Sequence, residues 1–130
     1  YVLIFDQACE VILEKFKMGA DSAKNDQRST MVVETNTKYI SEVKEGDEVD
    51  IMLTFLDHDK KRLHLKLEII EKKTKKISAS IEWLSLYVNL ETRKVTEFEK
   101  IKIKIMDDFM FKNKENFNSE NLKFSSKLKK

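Results

Sequence analysis

Both histidines of the chain, His58 and His64, fall in the stretch FLDHDKKRLHLKLEI, with Asp57 and Asp59 flanking the first. Side chains of these types can ligate a metal, pair as a base with an orienting carboxylate, or close a charged turn. A zinc site needs three or four converging ligands, and two histidines across a turn supply too few, so no metal is expected. His58, Asp57 and Asp59 are expected to be solvated turn formers at a hairpin tip. His64 alternates with Leu63 and Leu65 and therefore points to the face away from the core. A structural role suits it better than a catalytic one, and it is kept among the catalytic candidates.

Asp6 and Glu10 lie one turn apart on the polar side of an N-terminal apolar segment. Exposed helix carboxylates are usually solvated or paired with lysine or arginine. Either could instead act as a base or nucleophile if that side faces a cleft. Cys9 stands among apolar residues with no histidine nearby in sequence, which fits a small core residue rather than a nucleophile.

The elements that must position these groups follow from periodicity. In YVLIFDQACEVILEKFKMG, apolar residues recur at three- and four-residue spacing, which predicts a helix that Gly19 ends. Its apolar surface is wide enough to be enclosed on several sides. Ala20 to Ser29 reads as a loop, and TMVVETNTKYI as a strand. After a turn at Gly46 and Asp47, Val49, Ile51, Leu53 and Phe55 alternate with polar residues and with Met52. Leu63, Leu65, Leu67 and Ile69 do the same beyond a turn at 58–61, and Ile77 to Leu90 makes a third long strand ending at the turn ETRK. Three strands with short charged turns predict an antiparallel meander. Thr96 and Glu99 have capping-box spacing, so a second helix is expected from near Glu97. Residues 1–112 are read as one domain and 113–130 as a polar Lys/Asn/Ser-rich tail expected to fray. Trp83 and Tyr87 share one face of the third strand and are expected to pack on the helix.

Composition bounds what such a chain can do. At 130 residues it fits one domain, and 37% charged with 41% hydrophobic residues excludes a disordered chain. The 25 basic and 23 acidic side chains are interspersed, without the basic stripe of a nucleic-acid binder. A single cysteine makes no intrachain disulfide and points to the cytoplasm. No apolar run reaches the roughly 18 residues of a membrane span. The chain begins at Tyr1 inside an apolar segment, so residues are expected upstream of it.

A long apolar helix followed by an antiparallel sheet fits a sheet wrapped around a helix, an α+β hotdog fold, although periodicity alone leaves other α+β arrangements open. The order of the helix, VVETNTKYI, EGDEVDIMLTFLDHDKKRLHLKLEI and WLSLYVNLETRKV resembles the 4-hydroxybenzoyl-CoA thioesterase-like branch of the hotdog superfamily. LDHDKKRLHL and LYVNLETRK are similar to segments of the betainyl-CoA thioesterases of carnitine breakdown. The resemblance covers about residues 1–98 and implies an acyl-CoA thioesterase working as a homodimer or dimer of dimers, without metal or organic cofactor. Related enzymes carry a catalytic aspartate in a D-x-x-G-H-x-N-like loop before the helix, followed by an aromatic residue. Tyr1 matches that aromatic position, which puts the aspartate upstream and Tyr1 beside the substrate. Lys60, Lys61 and Arg62 are then candidates for the phosphates of coenzyme A, though lysines at hairpin tips equally serve solubility. A non-catalytic hotdog subunit that binds acyl-CoA or a partner enzyme is the alternative. A dehydratase fits less well, because the helix has no H-x-x-E or D-x-x-x-x-H element.

Overall fold

The structure, a computed structural model, describes residues 2–42, 46–120 and 122–129, with side chains described for these except at 2–4, 20 and 21. The chain runs α1 (Val2–Lys15), α2 (Ala20–Asn25), β1 (Arg28–Tyr39), β2 (Val49–His58), β3 (Arg62–Glu71), β4 (Ile77–Asn89), β5 (Lys94–Val95), α3 (Lys100–Asn113) and a 3-10 turn at Ser125–Lys127. The meander β2-β3-β4 is extended by β1, which returns to pair antiparallel with β4, giving the order β1-β4-β3-β2. The arrangement is the α+β hotdog fold, with α1 against one face of the sheet.

The helix-covered face is built from the alternation in β3. Leu63, Leu65, Leu67 and Ile69 are all buried, each stabilising the fold by about 1.5–3 kcal/mol. Phe5 of α1 meets Trp83 of β4 edge-on at 6.2 Å, as expected for a strand face packed on the helix. Met106 and Phe109 bring α3 to the same core, Phe109 edge-on to Phe16 at 5.3 Å.

Several local expectations are corrected. The first helix ends not at Gly19 but at Lys15. Lys17 takes the left-handed conformation (φ 59°), and the N–H groups of Met18 and Lys17 bond back to the carbonyls of Leu13 and Glu14. That is the two-bond closure usually built on glycine, here accepted by a lysine. Gly19 instead precedes α2, a short helix where a loop was expected. Helix α3 begins at Lys100 rather than near Glu97, with Glu99 at the N-cap. The Glu99 side chain does not fold back to cap; it is drawn to Tyr87 and Lys102.

Phe55 does not join the inner face with Val49, Ile51 and Leu53. Between Leu53 and Phe55 the register with β3 shifts by one residue at Thr54, and because strand side chains alternate, everything beyond changes face. Leu56 is thus the buried inner residue, and Phe55 goes to the outer face, 5.2 Å from the His64 ring.

Residues 117–120 and 122–129, part of the tail expected to fray, lie against the sheet. The Asn118 N–H reaches the Thr54 carbonyl on the β2 edge, and the N–H groups of Lys123 and Phe124 reach the Glu82 carboxylate on the outer face. No helix among the described residues is long and apolar enough to cross a membrane.

Candidate active site

Asp6 and Glu10 come together where the sequence placed them, on the exposed side of α1, and that side faces a cleft. A cavity of about 240 Å³ opens there between α1 and strands β1 and β4. Asp6 and Glu10 stand at its rim, Trp83, Leu63 and Leu65 form its apolar floor, and Thr30 and Ser85 add hydroxyls. Cys9 lies between the two carboxylates on the same wall. Burial pushes its thiol up to about 11, with the negative charges of Glu10 and Asp6 adding to the effect. The thiol is therefore protonated at neutral pH and a poor nucleophile, and the cleft carries a negative field.

His64 is not part of this cleft. It stands on the opposite face of the sheet with no exposed surface, Nε2 2.6 Å from Glu82 Oε2 and the Phe124 ring 6.2 Å away. The alternation with Leu63 and Leu65 that points it outward also separates it from Asp6 and Glu10. Contrary to a catalytic placement beside them, it is a buried structural histidine paired with Glu82. Glu82 is 1% exposed. Burial pushes its carboxyl up, but the N–H groups of Lys123 and Phe124 and the His64 ring outweigh that and hold it below the usual carboxylate range. Sequence reading missed Glu82, although a signal was present. It is the sole charged residue in the thirteen of β4, and a lone carboxylate in a strand covered on both faces needs donors.

The hairpin tip differs from the solvated turn expected. Asp59 is 6% exposed, and its carboxylate accepts the N–H groups of Lys61 (2.8 Å), Arg62 (2.7 Å) and Lys129 (2.8 Å) and the Arg62 guanidinium (3.0 Å). Burial alone would raise its carboxyl, yet these four donors keep it below its ordinary value. His58 is half-buried, with Nδ1 2.9 Å from the Asp59 carbonyl and Nε2 2.6 Å from Asp107 of α3. Both ring nitrogens thus face acceptors, tying the hairpin to α3. Lys60 and Lys61 keep their side chains exposed, while their carbonyls accept the N–H groups of Phe98 and Tyr87. The tip presents cations on an anchored backbone. Tyr1 lies outside the described residues.

A second buried network was not legible in the sequence. Lys102, 2% exposed, donates to Tyr87 Oη, to Ser22 Oγ (3.0 Å) and to Glu99 (2.8 Å), and the Tyr87 hydroxyl donates to Glu99 at 2.8 Å. All three ammonium protons are used, and the group ties α2 and α3 to β4. Burial, then the Glu99 carboxylate, pushes the Tyr87 phenol well above its usual range. The run KIKIKIM offers nothing to mark its second lysine from the others.

Residues 1–108 match the model of the thioesterase-like superfamily. Over 99 residues the chain is 26% identical to a betainyl-CoA thioesterase of Pseudomonas aeruginosa, covering 76% of this chain and 62% of that relative's length. A Staphylococcus aureus protein solved in complex with CoA superposes with a TM-score of 0.81 at 21% identity, covering all of this chain and 79% of that one. A DHNA-CoA thioesterase from Staphylococcus aureus superposes with a TM-score of 0.74 at 14% identity, over 88% of this chain and 78% of that one.

Proposed function

This chain belongs to the thioesterase-like superfamily, and we propose that it hydrolyses acyl-CoA thioesters to a free acid and coenzyme A in the cleft between α1, β1 and β4. The observation that carries the reading is the pair Asp6 and Glu10 at the rim of a cavity whose floor is apolar. Thioester hydrolysis needs a carboxylate to attack the carbonyl or to take a proton from the attacking water. It also needs donors for the oxyanion that develops, a role that backbone N–H groups at a helix N-terminus can fill. The C–S bond then breaks, and the coenzyme A thiolate takes the proton that the carboxylate drew from water. Where the carboxylate attacks first, water then cleaves the mixed anhydride to the free acid and supplies that proton.

The acyl group is small or polar, in keeping with the two carboxylates and the hydroxyls of Thr30 and Ser85 around the cleft. A cationic acyl group such as betainyl suits the negative field of Asp6 and Glu10 and the indole of Trp83 on the floor. The similarity to a betainyl-CoA thioesterase supports the same choice. Lys60 and Lys61 face solvent on an anchored tip, Arg62 stands beside them half-buried against Asp59, and the three hold the phosphates of coenzyme A.

The working unit is a homodimer joined through β1. This edge strand exposes Met31, Val32 and Val33, whereas Asn118 of the C-terminal segment covers the β2 edge at Thr54. The chain's single cysteine, which can make no intrachain disulfide, fits the cytoplasm. The test is release of free thiol from acetyl-CoA and betainyl-CoA by the full-length protein. No release from either overturns the proposal, and equal turnover of both overturns only the preference for a cation.

A further inference from the structure

Asp59 divides one carboxylate between two tasks. Oδ1 accepts the N–H groups of Lys61 and Arg62, which closes the hairpin turn. Oδ2 accepts the Arg62 guanidinium and the N–H of Lys129. That last donor arrives from the far end of the chain. It is carried by a segment that bonds to the β2 edge at Thr54, crosses the outer face through Glu82, and ends at the tip. Phe124 is its buried residue, seated on His64.

We propose that residues 117–120 and 122–129 form a strap that positions the hairpin tip, with Asp59 as the positioning residue for Lys60, Lys61 and Arg62. The proposal rests on the reading of that tip as the coenzyme A phosphate site. A carboxylate buried as deeply as Asp59 is costly unless its oxygens are satisfied, and the strap supplies one of its four donors. When the Lys129 N–H is lost, Oδ2 opens to water, and the Arg62 guanidinium, held by the same oxygen, is freed to swing. The turn amides of Lys61 and Arg62 loosen with it, because they bond to the other oxygen of the same group. The strap is seated by backbone N–H groups and by the buried Phe124 ring, so its effect on the tip does not depend on the Lys129 ammonium.

Lys129→Pro removes that single donor. Leu128 sits at φ −74° and ψ 139°, the conformation that a residue before proline adopts, so the change does not force its neighbour to refold. Lys129→Ala removes the ammonium and keeps the N–H. In the full chain, Lys129→Pro should speed amide exchange at Lys61 and Arg62 at least fivefold. It should also raise KM for acetyl-CoA three- to tenfold with kcat within twofold, while Lys129→Ala exchanges at the parent rate. Phe124→Ala, which frees the middle of the strap, should speed exchange at the same tip amides. Unchanged tip exchange in Lys129→Pro overturns the proposal, as does equal acceleration in Lys129→Ala. Faster exchange with unchanged KM sustains the coupling of strap to tip and overturns the phosphate reading of the tip. If no form turns over acetyl-CoA, the proposed activity fails and the exchange comparison still decides the strap.

Discussion

His64 Nε2 lies 2.6 Å from Glu82 Oε2 on the sheet face opposite the proposed cleft, and both side chains are closed off from solvent by the C-terminal segment. The pair is the seat of that segment. Removing one member of a buried, hydrogen-bonded pair leaves the other without compensation, at a cost of about 3–5 kcal/mol. Glu82→Ala is therefore expected to lower unfolding stability by that amount in urea titrations. A loss under about 1 kcal/mol would mean that the seat contributes little.

Acid should undo the same contacts. Asp59, Glu82 and Glu99 all have carboxyls held below their usual range in the folded state. A group with a depressed folded pKa contributes stability above its unfolded value, about 4, and loses it as pH falls through the folded one. Stability should thus be level from neutral pH to about 5 and decline below about 4. Asp59→Asn and Glu82→Gln should each be less stable at neutral pH and show a shallower acid decline, measured as Tm against pH. A parent-like slope in both would show that these carboxylates are not the acid-sensitive ones.

Asp6 and Glu10 are exposed on α1, so stability does not depend on them. If they act at the cleft, Asp6→Asn or Glu10→Gln should lower turnover at least about tenfold, or about 1.4 kcal/mol of barrier, with Tm nearly unchanged. Parent-like turnover in both variants would remove the cleft from the chemistry.

Cys9, with its thiol pushed up to about 11, should resist alkylation at neutral pH, and the rate with iodoacetamide should climb through the alkaline range as the thiolate forms. Fast alkylation at pH 7 would show that the thiol is not shielded by burial and the neighbouring carboxylates.

Lys102→Met should destabilise the fold by about 1–3 kcal/mol, since it withdraws donors from Ser22, Tyr87 and Glu99 at once. Chemical denaturation checks it. A neutral result would mean that water replaces the ammonium without loss.

The sequence by itself determined which residues face the helix and which face away. The period of β3 put Leu63, Leu65, Leu67 and Ile69 inside and His64 outside, because a strand's side chains alternate whatever lies around it. The helical period likewise set Asp6 and Glu10 side by side on one face of α1. Local signals were enough for the strands, and the resemblance carried by LDHDKKRLHL reached the family. Tertiary structure decided what covers each face. The bulge at Thr54 moved Phe55 to the outer side, and the same sequence could have continued the regular alternation. Whether Asp59 was a solvated turn former or a buried acceptor turned on Lys129, 70 residues onward, whose N–H no local pattern brings to it. Glu82 and Lys102 depended in the same way on segments distant in sequence. Alternation and helical period are local properties of the backbone. The burial of a charge depends on which distant donors arrive, and that is known only when the chain has folded back on itself.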